Sequence, residues 1–380
     1  MSRIRLGLLF GGRSVEHEVS IQSARSILEA LDPERYEIKL IGIDRAGHWR
    51  HVQSADIPEK WASLSAHVLL PPHPSSQESE NRLQKVLEGS QRTAEALEDT
   101  LAIDVLFPIV HGAGGEDGSL QGLLELAEVA YVGSGVLGSA IQMDKDIAKK
   151  LLSEAGLSVL PWITFRRHQL EGASLEPCVE KIEQALTYPV FIKPANSGSS
   201  VGISRASNRA ELKDGLQEAL KFDDKLLIEQ GIEAREVEVA VLGNEDPQAS
   251  VPGEIIPSQP FYDYDAKYND QSTRLLIPAS LSEQQNADLR ELGIKAFQAL
   301  EAEGLARVDF LIDRESQEIY INELNSLPGF TEASMYPLLW EKTGVSYPEL
   351  LDRLIELALS RRKRRSHLQR QRGETKDRPL

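Results

Sequence analysis

The chain contains a single cysteine, Cys178, so it cannot form an internal disulfide bond. One isolated thiol is typical of a protein from a reducing compartment, and we interpret Cys178 as an inert residue in a helix. Basic residues are also scarce, since 42 lysines and arginines stand against 59 aspartates and glutamates, giving a net charge of -17. Because contacts to nucleic-acid phosphates require clustered lysine and arginine, this deficit argues against general nucleic-acid binding.

Long apolar runs are missing too, and no stretch has the length or composition of a membrane span. The N-terminus leads directly into a predicted strand without a recognisable signal peptide. We therefore expect a cytoplasmic protein with no membrane partner. With 41% hydrophobic residues among 380 positions, the chain can bury several cores and should form two or three domains.

Two common nucleotide-binding motifs, the Walker P-loop and the Gly-x-Gly-x-x-Gly fingerprint, are absent from the sequence. Instead, residues 188–194 are predicted to form a strand that delivers Lys193 to a loop rich in serine and glycine, residues 195–202. Small residues let a backbone close around an anion, and N–H groups, hydroxyls and a lysine all attract phosphate oxygens. The loop is a candidate phosphate site, although ordinary turns have the same composition.

Four polar residues near the C-terminal end are predicted to converge on one β-hairpin. Alternate residues of a strand share a face, so Arg307 and Asp309 should point together, as should Glu323 and Asn325 on the partner strand. Oxygen ligands without histidine or cysteine suit Mg²⁺, which binds through one or two carboxylates plus substrate phosphates. Two ion pairs on an exposed hairpin are the alternative interpretation.

Between these two sets, residues 225–232 are predicted to form a buried strand that runs into a connecting segment. Such a segment can present backbone N–H and C=O groups to the edge of a purine. A plain strand exit explains the same residues equally well.

The N-terminal region contains two more loops at predicted strand ends. Residues 6–10 form the first strand, and a glycine turn leads into a helix whose first turn carries Glu16. Residues 105–110 form another buried strand, followed by a glycine-rich loop that begins with His111. Open α/β sheets bind ligands at the carboxyl ends of their strands, so both loops are candidate ligand sites. A capped helix start is the alternative for Glu16, because acidic residues stabilise helix N-termini by themselves.

These motifs resemble those of an ATP-grasp ligase. The likeness is carried by Lys145, Lys193 with its loop, Glu229, Glu236, and the hairpin residues Arg307, Asp309, Glu323 and Asn325. Adding the two N-terminal loops and the segments 261–268 and 325–331 makes the chain similar to the D-alanine-D-alanine ligase family from about residue 6 to about residue 359.

The resemblance implies a mixed α/β chain with the ATP-grasp fold. Residues 1–142 would form an open α/β substrate-binding domain, and residues 143–230 a small central α+β subdomain. Residues 231–361 would form the C-terminal α+β subdomain with the metal site and a lid loop at 259–273. The basic segment 362–380 should be a disordered tail, because it ends in a polar stretch with almost no apolar residues.

The activity implied is the ATP-dependent joining of two D-alanines, through a D-alanyl phosphate, for peptidoglycan precursor synthesis. For ATP, the resemblance implies phosphate contacts from Lys145, Lys193 and Lys267, adenine contacts from Glu229 and Ile232, a ribose contact from Glu236, and a further contact from Tyr262. It implies two Mg²⁺ or Mn²⁺ ions held by Asp309, Glu323 and Asn325. The family is often dimeric, so we expect a homodimer.

For the amino acids, the resemblance implies that Glu16 binds the ammonium of the first D-alanine. The other implied contacts are Ser199 and Tyr268 beside Glu16, His111 near the carboxylate of the first D-alanine, Arg307 and the Gly329 N–H on the tetrahedral oxyanion, and Ser334 on the carboxylate of the second D-alanine. A tyrosine at position 268 favours D-alanine over D-lactate as the second substrate, because relatives that prefer D-lactate commonly carry phenylalanine there.

Three alternatives remain open at this point. A related ligase would join D-alanine to D-serine or D-lactate. Another ATP-grasp carboxylate-amine ligase would share Lys193, Asp309 and Glu323 but lack the loops of Glu16 and His111. A non-catalytic nucleotide-binding protein would have lost Arg307 or a metal ligand, and this chain has lost neither.

Overall fold

The computed structural model of the protein describes residues 3–52, 68–70, 103–171, 175–256 and 274–368. Within these ranges the chain forms three β-sheets with helices packed against them, in agreement with the predicted mixed α/β architecture. No helix among the described residues is both long and apolar enough to cross a membrane.

The N-terminal sheet has the strand order β4-β3-β2-β1-β5-β6, in which β1 pairs in parallel with β2 and β5. Its elements are β1 (Ile4–Gly11), α1 (His17–Ala30), β2 (Tyr36–Ile43), β3 (Trp49–Val52), β4 (Val68–Leu70), β5 (Val105–Ile109), α2 (Ser119–Leu126), β6 (Ala130–Tyr131) and α3 (Val136–Met143). Strand β5 is buried along its whole length, as expected for a parallel strand covered on both faces. The carboxyl ends of β1 and β5 lead into the loops of Glu16 and His111.

The central sheet is antiparallel, with the order β7-β10-β8-β9. Its region contains α4 (Lys145–Glu154), β7 (Trp162–Arg166), α5 (Arg167–Leu170), α6 (Glu176–Ala185), β8 (Val190–Pro194), β9 (Ser204–Ala206), α7 (Arg209–Ala219) and β10 (Lys225–Gln230). Side chains alternate across the strands, so Ile192 and Ile228 enter the core beneath α6 and α7. Lys193 and Glu229 therefore lie on the opposite face.

The C-terminal sheet is also antiparallel, with the order β14-β13-β11-β15-β16 and β12 added beside β11. Its region contains β11 (Ala234–Gly243), β12 (Gln248–Ala249), β13 (Gly253–Ile256), β14 (Arg274–Leu276), α8 (Glu283–Ala299), β15 (Gly304–Asp313), β16 (Ile319–Asn325), α9 (Met335–Thr343) and α10 (Tyr347–Ser366). Helix α8 begins with a capping box, in which Ser282 accepts a hydrogen bond from the Gln285 N–H at 3.2 Å. Its buried face covers β11 and β15.

The last helices return to the N-terminal sheet, and the two regions share one core. Leu350 and Leu354 of α10 belong to the same buried cluster as Leu6 and Phe107 of the N-terminal strands. The ring of Phe330 lies 5.7 Å from that of Phe107 in an edge-to-face arrangement. This shared core places the loop after β16 against the carboxyl ends of β1 and β5.

The prediction of a disordered tail from residue 362 was wrong for its first residues, because α10 continues to Ser366. The arginines that suggested a solvated run instead pair with acidic side chains from other elements. Arg362 contacts Glu128 at 2.9 Å, and Arg365 contacts Glu125 at 2.6 Å. Residues 369–380 lie outside the described ranges.

Candidate active site

A cleft of about 440 Å³ lies where the carboxyl ends of β1 and β5 meet the β15–β16 hairpin and the loop after β8. Predicted site residues that line it are Glu16, His111, Ser199, Arg307, Glu323, Asn325, Gly329 and Ser334. Lys145 lines an adjoining recess together with residues 197–200 and Glu323. Three further predicted residues, Tyr262, Lys267 and Tyr268, belong to the lid segment and lie outside the described residues.

The hairpin brings its four polar residues together as predicted from strand parity. Arg307 pairs in register with Asn325, and Asp309 pairs with Glu323. The Arg307 guanidinium binds Asp309 in a fork, with both N–O distances 2.7 Å, and Asn325 Nδ2 donates to Asp309 Oδ2 at 2.9 Å. A β-bulge follows Asp309, so the adjoining Asn322 turns toward the central sheet, where its Oδ1 accepts from Lys193 Nζ at 3.3 Å.

Glu238 on β11 completes the surroundings of Arg307. It lies next to Asp309 in the strand register, is 5% exposed, and has Oε2 3.0 Å from Arg307 Nε. Burial alone would lower the pKa of Arg307, but Asp309 and Glu238 outweigh it and raise that pKa well above its usual value. The guanidinium is therefore a permanent cation with a fixed orientation at the cleft wall.

The donor set of Asp309, Glu323 and Asn325 fits Mg²⁺ or Mn²⁺. Glu323 lines the cleft, and Asp309 lies beside it in the strand register. Arg307 neutralises Asp309, and Lys145, whose Nζ lies 3.2 Å from Oε2, neutralises Glu323. The part of the chain that the structure describes holds no group of three or more His, Cys, Asp or Glu residues that could by itself hold a metal ion. Two carboxylates and an amide are instead the incomplete set that Mg²⁺ shares with phosphate oxygens.

The loop after β8 has an unusual backbone conformation. Ser199 and Ser200 both adopt left-handed conformations, with φ of 50° and 57°, which are uncommon for residues other than glycine. Gly202 also has positive φ, and a β-carbon there would lie 2.5 Å from Phe222. Lys145 Nζ donates to the Ser197 carbonyl at 2.7 Å, which joins α4 to this loop.

Glu229 is 1% exposed and its carboxylate is held by two lysines, Lys193 at 2.5 Å and the buried Lys149. Burial would raise the pKa of Glu229, but Lys149 and Lys193 lower it below its ordinary value. Burial lowers the pKa of Lys149, the more deeply placed of the two lysines. Lys193 lies on the face of the central sheet that faces the hairpin, where it also donates to Asn322. Ile232 is half-buried just beyond β10, and Glu236 acts electrostatically on Lys193 from β11.

A second buried ion cluster supports Lys145. Lys225 is 4% exposed and reaches both Asp144, the N-cap of α4, and Asp146, each at 2.7 Å. The backbone N–H of Lys145 donates to the Ala195 carbonyl, so the first turn of α4 is fixed to the end of β8. Burial would raise the pKa of Asp146, but hydrogen bonds from Lys150 and Lys225 lower it well below its usual value.

Glu16 and His111 meet at the N-terminal wall of the cleft, 8% and 3% exposed. A β-carbon on Gly198 would lie 3.6 Å from Glu16 Oε2, so the loop after β8 passes directly over this carboxylate. His111 Nδ1 lies 3.0 Å from the Leu327 carbonyl oxygen, whereas its buried Nε2 has no hydrogen-bond partner among the described residues. Burial lowers the pKa of His111.

The opposite wall is the loop between β16 and α9, which carries Gly329 and Ser334. Ser334 Oγ accepts from the Thr331 N–H at 3.0 Å and would lie 3.0 Å from a β-carbon at position 329. Ser334 is the N-cap of α9, yet its side chain does not cap that helix. A residue larger than glycine at position 329 would press on this hydroxyl.

Several site residues were not identified from the sequence: Glu116, Lys149, Lys225, Glu238 and Asn322. For two of them a signal was present. Lys149 follows Lys145 by one helical turn, and Glu238 follows Glu236 by one strand repeat, so each shares a face with a residue already identified. Asn322 became a site residue only through the bulge, which no local pattern indicates.

Comparison with known proteins covers nearly the whole chain. Residues 5–134 match the family model described as D-ala D-ala ligase N-terminus, and residues 151–356 match the one described as D-ala D-ala ligase C-terminus. The chain is 49% identical over 369 residues to D-alanine–D-alanine ligase A of Chromobacterium violaceum, which covers 95% of this chain and 96% of that protein.

Two solved structures extend the comparison. The D-alanine-D-alanine ligase from Coxiella burnetii is 34% identical with a TM-score of 0.77, covering 96% of this chain and 97% of that one. The VanG D-Ala:D-Ser ligase from Enterococcus faecalis is also 34% identical with a TM-score of 0.77, covering 94% of this chain and 100% of that one.

Proposed function

The chain belongs to the D-alanine-D-alanine ligase family, and we propose that the cleft between the N-terminal loops and the β15–β16 hairpin is its catalytic centre. The ATP-grasp fold and the ligase activity predicted from the motifs are confirmed by relatives matched over nearly the full length. The enzyme joins two D-alanines, through a D-alanyl phosphate, into the dipeptide used for peptidoglycan, and it uses ATP and a divalent metal.

The observation that carries the proposal is the convergence of the loop after β8, the carboxylate of Glu323 and the fixed guanidinium of Arg307 around one cleft. ATP would lie between the central sheet and the hairpin, with Lys193 and Lys145 on its phosphates. The ammonium of Lys193, held by Glu229 and Asn322, would attract a phosphate there. The adenine would reach the strand exit at Glu229 and Ile232, and the ribose would reach Glu236.

The carboxylate of Glu229 is already bound to two lysines, so backbone groups at the strand exit are better placed to recognise the adenine. We therefore assign the side chain of Glu229 the role of holding Lys149 and Lys193 in position. Lys267 and Tyr262 stay predictions from the family resemblance as contacts to the γ-phosphate and the nucleotide.

Mg²⁺ held by Asp309, Glu323 and Asn325 would neutralise charge on the transferring phosphoryl group. Two ions per ATP are proposed from the family resemblance, and the paired carboxylates of Asp309 and Glu323 would supply the ligands. Titrating the apoenzyme and a non-hydrolysable ATP analogue with Mn²⁺, followed by electron paramagnetic resonance, counts the ions. A single bound ion at saturation would overturn the assignment of two.

The first D-alanine would bind with its ammonium at Glu16, near Ser199 and Tyr268, and with its carboxylate near His111. An oxygen of that carboxylate attacks the γ-phosphorus of ATP, the bond to ADP breaks, and D-alanyl phosphate forms. This step is needed because a free carboxylate is a poor electrophile. The loop after β8 passes over Glu16, so it holds the two reacting groups together and excludes water that would hydrolyse the acyl phosphate.

The second D-alanine would bind with its carboxylate at Ser334. Its amine attacks the carbonyl carbon of D-alanyl phosphate, a C–N bond forms, the amine loses a proton, and phosphate leaves. The oxygen that becomes negative in the tetrahedral intermediate would face Arg307 and the Gly329 N–H. Preorganised donors of this kind give a large part of the rate enhancement in acyl transfer.

The function is tested by phosphate release from Mg²⁺-ATP with D-alanine, L-alanine, D-lactate plus D-alanine, or D-serine plus D-alanine, with products identified by mass. Release that depends on D-alanine and yields the dipeptide is the expected result. Mixed products alone would move the enzyme to a variant specificity such as that named for the Enterococcus faecalis relative. No release with any amino acid would contradict the proposal.

The homodimer and the cytoplasmic location predicted above are also proposals. The family resemblance supports the homodimer. The single cysteine, which is typical of a protein from a reducing compartment, supports the cytoplasmic location. Sedimentation velocity measures the first, and fractionation of cells producing the protein measures the second. A monomer at micromolar concentration would contradict the predicted dimer.

A further inference from the structure

Both backbone polar groups of one residue beside the cleft, Leu327, are bound by side chains of the loop after β5. Glu116 Oε1 accepts from the Leu327 N–H at 3.2 Å, and His111 Nδ1 lies 3.0 Å from the Leu327 carbonyl oxygen. A carbonyl oxygen only accepts hydrogen bonds, so His111 Nδ1 is the donor. These contacts join segments more than 200 residues apart, since the separations are 211 and 216 positions.

Glu116 is itself built into its loop. Its other oxygen, Oε2, accepts from the Gly112 N–H at 2.6 Å, and its backbone N–H donates to the Gly112 carbonyl at 3.0 Å. The amide of Gln121 in α2 closes the loop further by donating to the Gly115 carbonyl at 2.7 Å. Glu116 therefore forms a bridge between a rigid loop of the N-terminal domain and the chain segment after β16.

The segment held by this bridge carries the proposed oxyanion donor. Gly329 lies two residues after Leu327, and the next residue, Phe330, is fixed by its N–H to Ser23 Oγ at 3.2 Å and by its ring against Phe107. The Gly329 N–H thus lies between two points at which the N-terminal domain holds the backbone. A shift of Leu327 would move this N–H relative to Arg307, and a donor displaced by 1 Å loses most of its catalytic value.

We propose that Glu116 is a positioning residue which, together with His111, fixes the backbone of Leu327 on both sides of its Cα and thereby aims the Gly329 N–H at the developing oxyanion. The proposal rests on the ligase chemistry and on the role assigned to Gly329 above. It makes Glu116 a link between the two halves of the cleft, because its two oxygens accept from the N–H groups of Gly112 and Leu327.

The test compares Glu116→Gln with Asp117→Asn. Each variant replaces a carboxylate of the same loop by its isosteric amide. Each carboxylate accepts hydrogen bonds from two backbone N–H groups. The two bound to Asp117 belong to Gly114 and Ser119, so Asp117 does not contact Leu327. An amide nitrogen cannot accept, so Glu116→Gln loses one of its two hydrogen bonds. We expect dipeptide formation to fall about 10- to 100-fold, the usual effect of leaving a buried N–H donor without an acceptor.

A partial reaction separates positioning of the oxyanion donor from a general structural defect. Exchange of the βγ-bridge oxygen of labelled ATP in the presence of D-alanine reports formation of D-alanyl phosphate, which does not use the oxyanion donor for amine attack. Glu116→Gln should retain this exchange and the KM for ATP while kcat for the dipeptide falls. Asp117→Asn should resemble the wild type in both.

Three results would overturn the proposal: normal dipeptide formation in Glu116→Gln, an equal loss in Asp117→Asn, or parallel loss of exchange and dipeptide formation. If Glu116→Gln does not fold, hydrogen exchange of the wild-type Leu327 amide remains decisive, because the bridge requires strong protection and a fast amide would refute it. If the wild type makes no dipeptide while Leu327 is protected, the ligase chemistry fails and the role at the oxyanion fails with it, although the bridge stands.

Discussion

Arg307→Lys is the substitution that most sharply separates charge from geometry in the cleft. Arg307 uses Nε and Nη2 on Asp309 and has Nε 3.0 Å from Glu238. Its third nitrogen, Nη1, makes no hydrogen bond to the residues that the structure describes, and it is the atom we expect at the oxyanion. A lysine would keep a counter-ion for the two carboxylates, but its single ammonium cannot bind them and also reach that position.

The magnitude follows from the role of the lost group. One oxyanion donor is worth about 3 to 4 kcal/mol of transition-state stabilisation, or about 100- to 1000-fold in kcat. The KM for ATP should stay near the wild-type value, because the lost contact is made only in the transition state. Arg307→Ala is a poorer probe, since leaving buried carboxylates without a partner costs about 3 to 5 kcal/mol of folding stability.

The chain contains a matched control in Arg235, which binds Glu254 in the same fork with both distances 2.7 Å. Arg235 lies on β11, and neither it nor Glu254 lines the cleft. Coupled phosphate-release assays and thermal melts of Arg235→Lys and Arg307→Lys should show similar small stability losses but a kcat loss in Arg307→Lys alone. An Arg307→Lys enzyme with wild-type kcat, or an equal kcat loss in Arg235→Lys, would refute the role given to Arg307.

Three further predictions concern charges around the nucleotide and the N-terminal loop. Glu229→Gln leaves the buried Lys149 and Lys193 without their counter-ion, so the free energy of unfolding should fall by about 3 to 5 kcal/mol. The melting temperature should fall accordingly, and saturating Mg²⁺-ATP should restore part of the loss. An unchanged melting temperature would contradict this prediction. Glu323→Gln removes a carboxylate from the metal set, so the Mg²⁺ concentration for half-maximal rate should rise, and an unchanged Mg²⁺ titration would remove Glu323 from that set. Burial and the nearby Glu16 raise the pKa of Glu116 to about 8 from 4.5. A raised carboxyl pKa favours the folded state at low pH, so this contribution should be complete below about pH 4.5 and lost as the pH rises towards 8. Denaturant melts at several pH values should show this slope in the wild type and a flatter one in Glu116→Gln; equal slopes would contradict the raised pKa.

The parts of the site that could be predicted from the sequence depend on local periodicity. Arg307, Asp309, Glu323 and Asn325 converge because side chains alternate along two strands joined by a short turn, and this rule needs no knowledge of the rest of the fold. The loop after Lys193 could be located because a predicted strand delivers a lysine to a run of serine and glycine, although its composition alone is that of an ordinary turn. Both features lie within short stretches of chain.

The parts that escaped prediction depend on contacts between distant segments. Lys149 meets Glu229 only because α4 packs beside the central sheet, and Glu116 meets Leu327 only because α9 and α10 return to the N-terminal sheet. The arginines of the supposed tail illustrate the same limit. A charged run without apolar residues predicts disorder, yet Arg362 and Arg365 find acidic partners on other elements.

The central claim, that a carboxylate of D-alanine is activated as an acyl phosphate in this cleft, is tested most directly by oxygen transfer. The wild-type enzyme would be run with Mg²⁺-ATP and D-alanine carrying ¹⁸O in both carboxylate positions, and the released phosphate analysed by mass. Our account predicts one ¹⁸O atom in each phosphate released together with a dipeptide, because the oxygen that attacks ATP leaves with the phosphoryl group. Unlabelled phosphate accompanying dipeptide formation would contradict it.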